Sequence, residues 1–283
     1  MAISNFQPTL WSATLLDTLK NTLVFAAPGV ANRDYEGEIR EAGTSVKITD
    51  IANPTIGTFT KDTDLTIQVL TDATRSLTID QQKYFAFEVD DLDAAQSKNG
   101  GAILDQAAVQ AAYGLKNVAD GVVATELKTN ALAGNKLGAK AVSTADLAFQ
   151  LIVDIRTKMV KNNVPDDGNR WLIVHPEMYA KLLTDNRFIS AAQAGTSAGL
   201  RNGYVGNVLG FKVYESNNCA AGASTGTMVT GGHPIGISYA DQIVQVEAAR
   251  MEKRFADLLK GLHVYGTKVI RPEVIVTADV TVS

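Results

Sequence analysis

From Thr44 to Val89 the apolar residues fall at every second position, and no other feature of the chain restricts its fold as much. Val46 and Ile48 alternate with polar neighbours, as do Leu65, Ile67 and Val69, then Leu77 and Ile79, then Phe85, Phe87 and Val89. Successive side chains of a strand point to opposite faces, so the pattern asks for half-polar strands with one face to bury. Threonine is frequent in the run, and Asn53-Pro54 and Gly57 punctuate it as turn residues do. Long hairpin strands are predicted. A two-stranded hairpin alone is marginal in water, so something outside it must cover the apolar face, and a partner subunit would serve.

On either side the period becomes helical. Residues 8–25 place Leu10, Trp11, Leu15, Leu19 and Leu23 on one face after Pro8, until Pro28-Gly29 stops the helix. Residues 91–133 predict one long helix with a narrow seam of Leu104, Ala108, Ala111, Leu115, Val118 and Val122. Gly114 and Gly121 weaken it by about 1 kcal/mol each relative to alanine, so packing must hold it; a coiled coil is a second reading of the seam. A loop at 134–138 leads to a helix with a capping-box-like start at Ser143 and Asp146 and a face of Leu147, Leu151, Ile155 and Met159. Residues 171–174 read as a short strand, and Pro176 opens another helix. Small-residue loops at 190–207 and 217–226 flank a strand at 211–214. Strands follow at 228–229, 235–239, 243–246, 263–270 and 274–282, while 250–261 admits either helix or strand. The fold class is α+β.

Composition narrows the function. With 46% hydrophobic and 20% charged residues among 283, the chain can bury a large core and is not a disordered tail. The net charge of −4 offers no cationic surplus for phosphate binding. Cys219 stands alone, so no internal disulfide forms. The opening Met1-Ala2-Ile3-Ser4-Asn5 lacks a signal peptide's basic and apolar regions, and no apolar run is long enough to cross a bilayer. These features predict a chain made and kept in a cytosol.

Catalytic patterns are weak. Gly195-Thr196-Ser197-Ala198-Gly199 and Gly222-Ala223-Ser224-Thr225-Gly226 match the nucleophile-elbow spacing, but neither joins a strand to a helix as the chemistry requires. His175, His233 and His263 lack metal-ligand spacing. The Gly203, Gly206 and Gly210 spacing precedes a strand instead of opening a helix. Asp90-Asp91 and Asp166-Asp167 read as solvated turn acids. The sequence predicts no enzyme: no catalytic residue, no cofactor site and no metal site.

The segments taken in order resemble tailed-bacteriophage major capsid proteins of the Hong Kong 97 fold, in the branch that includes Salmonella-phage coat proteins. The most specific pieces are Asn32-Arg33-Asp34-Tyr35-Glu36-Gly37-Glu38-Ile39 leading into Gly43-Thr44-Ser45-Val46-Lys47-Ile48, and Leu77-Thr78-Ile79-Asp80-Gln81 leading into Phe85-Ala86-Phe87-Glu88-Val89-Asp90-Asp91. Arg170-Trp171-Leu172-Ile173-Val174-His175-Pro176, Gly210 to Ser216 and Tyr265 to Glu273 are consistent with it. The resemblance implies an N-terminal arm (1–34), an extended-loop hairpin (35–90), a peripheral domain with a spine helix (91–133), an axial domain (134–240) and C-terminal peripheral strands (241–283). It implies a homo-oligomer of pentamers and hexamers in an icosahedral virion shell, assembled in a host bacterial cytoplasm. Such a shell encloses double-stranded DNA without sequence-specific binding and works with a portal.

Relatives of this kind can begin with a charged helical pro-region. Met1 opens directly on the arm here, which favours a separate scaffolding protein. Lys–Asn crosslinking is not carried over: Lys61 lies near the loop tip, but no asparagine follows Asn218. The expected intersubunit contacts are Trp11 and Leu15 on the arm, Ile56, Phe59, Lys61, Asp62 and Arg75 on the hairpin, and Arg201. Gly43, Asp90 and Asp91 are the expected hinge. Two other readings remain open: an encapsulin-like nanocompartment shell, and a serine hydrolase using Ser197 or Ser224.

Overall fold

A computed structural model describes residues 24–35, 45–51, 55–62, 64, 67–68, 72–91, 100–185, 207–223 and 225–282. Trp11, Leu15, Gly43 and Arg201 lie outside the described residues, as do Ser197 and Ser224. The described strands form three sheets. In the first, β1 (Ser45–Ile51) pairs antiparallel with β2 (Asp72–Thr78), setting Val46 opposite Leu77 and Ile48 opposite Arg75. In the second, β3 (Gln81–Asp90), β10 (Ala256–Val269) and β9 (Ile237–Arg250) lie in that order. The third has six strands in the order β4 (Lys136–Val142), β11 (Val276–Val282), β8 (Thr227–Gly232), β5 (Trp171–Val174), β7 (Phe211–Glu215) and β6 (Asn207–Val208).

Helix α1 (Gly100–Asn130) spans 31 residues, about 46 Å at the α-helical rise. Toward its N-terminus Ala108, Ala112 and Leu115 pack on Phe85, Phe87, Val246 and Leu259 of the three-stranded sheet. Toward its C-terminus Ala119, Val123, Ala124 and Leu127 join the main core with the six-stranded sheet. The buried stripe therefore differs from the predicted seam. Ala108, Leu115 and Val122 belong to both, whereas Val118 is 44% exposed and Ala112, Ala119 and Ala124 are buried instead. Residues 92–99 of the predicted helix lie outside the described residues.

Helix α2 (Ala145–Lys161) buries Ala148, Leu151, Ile152, Ile155 and Met159. Its N-cap is Thr144 and not Ser143: the Thr144 hydroxyl accepts from the Leu147 amide at 3.3 Å, while the Ser143 carbonyl accepts from Lys181 Nζ. The Pro176 signal holds, with α3 running Pro176–Leu183. Residues 136–142, read partly as loop, form β4, which lies parallel to β11 from the far end of the chain.

Two expectations about the strands need correction, and one open choice is resolved. The alternating run does not stay in one hairpin, because β3 leaves it to pair with β10 from Gln81–Tyr265 to Asp90–Ala256. The choice at 250–261 resolves to a turn followed by β10, whose pairing on both sides outweighs the helical spacing of Met251, Phe255 and Leu258. The C-terminal strands do not group together either, since β11 pairs with β4 and β8 in the six-stranded sheet. A boundary at 240/241 would also cut through β9.

Candidate assembly interface

The hairpin has a seated base and a bare tip. At the base Ile48, Leu77 and Ile79 are buried with Ala240, Val264 and Ile270, and half-buried Tyr35 and Val46 complete the cluster. Leu77 is fully buried, worth about 2 kcal/mol of transfer free energy. The seat is tight because Gly266 of β10 leaves room for the Thr78 carbonyl and the Ile79 backbone. The expectation that a partner subunit would cover the apolar face is thus corrected at the base, where β9 and β10 of the same chain cover it.

The tip is different. Ile56 is 95% exposed, Phe59 71% and Ile67 90%. The Thr55 amide donates to Gln68 Oε1 at 2.7 Å, a cross-link between the two legs that holds these residues out together. Lys61 and Asp62 form the turn, both exposed, with Asp62 in the left-handed region at φ 65° that an aspartate tolerates. Arg75 is exposed on β2, well back from the tip and opposite Ile48. The structure therefore groups Ile56, Phe59, Lys61 and Asp62, and sets Arg75 apart.

Asp90 and Asp91 are held firmly. Asp90 closes the β3–β10 ladder opposite Ala256, and the Asp91 amide donates to the Phe255 carbonyl at 3.0 Å. Arg250 makes a bidentate contact with Asp91 and a further one to Asp257 at 3.1 Å. The Arg250 hydrogen bond holds the Asp91 carboxyl below the ordinary carboxylate range. A hinge at 90–91 would leave all of β3 attached to the moving hairpin, so swinging there requires breaking a ten-residue strand from β10. The link between β2 and β3 is Ile79-Asp80, with Ile79 buried in the hairpin base.

Two exposed apolar features escaped the sequence reading. Tyr84 is 79% exposed on the face of β3 opposite Phe85 and Phe87, and with Ala86, Gly261 and Leu262 it lines a groove of about 340 Å³. The Glu247–Lys260 ion pair, at 2.6 Å, flanks that groove. The period of two that half-buries Phe85, Phe87 and Val89 puts Tyr84 on the opposite, exposed face, a local signal the sequence reading did not use. Phe255 is 81% exposed in the β9–β10 turn, beside an Arg254–Glu88 contact of 2.8 Å.

The second serine motif, His233 and Cys219 have structural partners. The second serine motif wraps a carboxylate: a Cβ on Gly222 or Gly226 would fall 1.9 or 2.3 Å from Asp279 Oδ1, and the Ala223 amide donates to Asp279 Oδ2. The Asp279 carboxylate thus accounts for the glycine spacing. His233 Nδ1 accepts from the Ile235 amide, which leaves Nε2–H to donate to Asp167 at 3.1 Å. His175 stands 3.9 Å from Glu177. Burial pushes the Cys219 thiol up to about 12, and its Sγ donates to the Ser216 carbonyl. Among the described residues, no group of three His, Cys, Asp or Glu could hold a metal ion, and no helix is long and apolar enough to cross a membrane.

The chain matches the family model described as phage capsid protein over residues 73–278. A structure from Mycobacterium phage Che8 superimposes with a TM-score of 0.76 at 32% identity, covering 98% of each chain. The capsid of cyanophage P-SCSP1u gives 0.70 at 16% identity over 86% of this chain and 85% of that one. A virus-like particle from Pyrococcus furiosus gives 0.59 at 15% identity, over 96% and 98% respectively. The last two likenesses concern the fold alone. No curated protein sequence matches the chain.

Proposed function

Because this chain belongs to the phage capsid protein family and is a major capsid protein of the Hong Kong 97 fold, located in the virion shell, we propose that it builds an icosahedral head from pentamers and hexamers through its extended hairpin. The observation that carries this reading is the bare tip: Ile56, Phe59 and Ile67 are presented to solvent on a hairpin whose base is already seated. Isolated exposed apolar residues are ordinary, but three on one projecting element mark an interaction surface. Ile56, Phe59, Lys61 and Asp62 are its contact residues in this proposal, with Arg75 at its flank. Trp11 and Leu15 on the arm and Arg201 in the loop would add contacts to other subunits.

A subunit whose projecting element meets a different patch on its neighbour closes into rings, as pentamers and hexamers require. Expansion of the shell would move the hairpin as a unit about Gly43 and the Ile79-Asp80 link. Assembly takes place in the host bacterial cytoplasm with a separate scaffolding protein and a portal, and the shell encloses double-stranded DNA without reading its bases. The net charge of −4 supports containment rather than tight phosphate binding. The chain acts as a structural protein and not as an enzyme.

An encapsulin-like compartment shares the fold, and the Pyrococcus furiosus particle is similar in architecture. The family match over most of the chain favours the phage reading. The test is to express the protein with and without its neighbouring phage genes and examine the product by sedimentation and electron microscopy. Closed shells with a portal vertex and packaged DNA are expected. Protein that stays monomeric under every scaffold and salt condition would overturn the assembly reading, and shells filled with an enzyme cargo would favour the compartment.

A further inference from the structure

Arg33, Asp241 and His263 come from three separate segments and meet on one carboxylate. Arg33 Nη1 lies 3.4 Å from Asp241 Oδ2, and His263 Nε2 lies 2.9 Å from Asp241 Oδ1. The Asp241 side chain is 9% exposed and that of His263 1%. The rest of the Arg33 guanidinium is also engaged: Nε and Nη2 donate to the Ala26 carbonyl at 3.2 and 2.8 Å, and its carbon sits 5.0 Å from the centre of the Tyr239 ring. Tyr239 and Tyr265 pack beside each other with ring centres 5.7 Å apart, and His263 lies 4.7 Å from Tyr265. Backbone bonds add to the attachment, since Asn32 donates to the Ile237 carbonyl and accepts from the Tyr239 amide.

The same stretch of β9 and β10 carries the hairpin. Ala240 precedes Asp241 and Val264 follows His263, and these two residues form the floor under Ile48, Leu77 and Ile79. Neighbouring residues of a strand face opposite sides. The β9–β10 pair is thus held from one side by the Arg33 segment and from the other by the hairpin base. Its ladder shifts register between Val264 and Tyr265, with Gln242 passed over between the Ile243 and Asp241 pairings. Such a bulge re-aims the side chains next to it. Tyr35, two residues past Arg33, itself packs into the hairpin cluster.

We infer that Asp241 is the keystone of a latch joining the arm root, residues 24–35, to the base of the extended hairpin, so that the two loosen and tighten together. Asp241 suits the role because it satisfies a cation and an imidazole at once. Burial works against the ionised carboxylate, yet the His263 hydrogen bond and charge, Tyr239 and Arg33 hold its pKa below the ordinary value. Losing the charge would take an ion pair from half-buried Arg33 and the acceptor of the His263 hydrogen bond, which weakens the hold of the arm root on β9 and β10. The loosening would pass to Tyr35 and to the bulge, and from there to the hairpin floor. Resting on the reading of arm and hairpin as assembly elements, the latch makes their docking cooperative: fixing one orders the other.

The test is hydrogen exchange on the unassembled full-length chain, so its outcome does not depend on whether the hairpin docks on a neighbour. In Asp241→Asn and in Arg33→Gln, amides of 24–35 and of 72–79 should speed up together by about fivefold or more. Amides of β5 and β8 in the six-stranded sheet should keep wild-type rates and report an intact fold. His263→Gln, which keeps a donor toward Asp241, should produce a smaller change in both segments. If Asp241→Asn disturbs the sheet as well, Arg33→Lys provides the milder cut and should still move both segments in parallel. Faster exchange in the arm root with the hairpin base unchanged, in whichever variant folds, overturns the latch while leaving the capsid reading intact.

Discussion

A methyl group on Gly266 would stand 2.3 Å from the carbonyl oxygen of Thr78, so β10 and the end of β2 meet backbone to backbone. No rotamer change can relieve that contact. Gly266→Ala must push the hairpin base off its seat, and an overpacked site of this kind costs about 2 kcal/mol. Denaturant unfolding should show the loss. Gly121→Ala is the matched control, because nothing lies within 4 Å of its added Cβ and alanine favours the helix; that variant should gain up to about 1 kcal/mol. Equal stability in the two variants would contradict the close seat.

Asn135 ties together three segments that are remote in sequence. Its buried side-chain amide donates to the Glu273 and Ile275 carbonyls at 2.8 and 3.0 Å, and its oxygen accepts from Asn162 Nδ2 at 2.9 Å. Asn135→Ala leaves polar groups of this knot without partners, at a cost of about 3 kcal/mol. Asn135→Asp should do no better, because a carboxylate cannot donate to two carbonyls. Chemical denaturation of both variants measures this, and a loss below half that size would mean that other groups satisfy the carbonyls.

What could be read from the sequence was local, and what escaped was decided at a distance. Leu147, Leu151, Ile155 and Met159 announce α2 because a helix buries one face of its own sequence; all but half-exposed Leu147 are fully buried. The cap was misplaced by one residue because Ser143 and Thr144 are both good caps, and only the Leu147 amide distinguishes them. Strand β4 has small residues and little burial, and its identity comes from β11, well over a hundred residues later. The same holds for β3, which continues an alternating run yet belongs to another sheet. At the hairpin tip, Ile56 and Phe59 were legible as apolar residues in a polar turn. Arg33, Asp241 and His263 were not, since no spacing links them: the pairing of β9 with β10 brings Asp241 to His263, and the bridge from Asn32 to β9 adds Arg33.

Asp167 gives the loop at 165–169 a defined acid limit. The backbone and side-chain amides of Asn169, with a further bond from His233, pull its carboxyl from the ordinary 3.8 to about 2. The folded state therefore binds this proton less readily than the unfolded chain. Its stabilising contribution is complete above pH 3.8 and fades as the pH falls through about 2. In acid titrations between pH 4 and 2, wild type should lose stability more steeply than Asp167→Asn, which has no proton to gain at this position. Parallel curves would show that the carboxylate has no favourable linkage to folding.

The hairpin tip supplies the most direct separation of folding from assembly. Phe59 and Ile56 touch little within their own subunit, so replacing them with serine removes no intramolecular core and should leave the unfolding midpoint of the free subunit unchanged. In a docked hairpin the same side chains would be buried against a neighbour, where truncating a large anchor costs about 2 kcal/mol or more per contact. A closed shell repeats that contact at every subunit, so even a modest loss at each one is multiplied across the particle. Ile56→Ser combined with Phe59→Ser should therefore give a fully folded protein that fails to form closed shells or forms shells that fall apart at lower denaturant. Lys61→Ala, at the exposed turn beside them, should have a smaller effect that depends on salt, as expected of a rim charge. Circular dichroism establishes the fold, and sedimentation with negative-stain microscopy counts the shells. Wild-type yield and shell stability in the double variant would mean that the tip is not buried between subunits, and the principal contact would then have to be sought at Phe255 or along the groove at Tyr84.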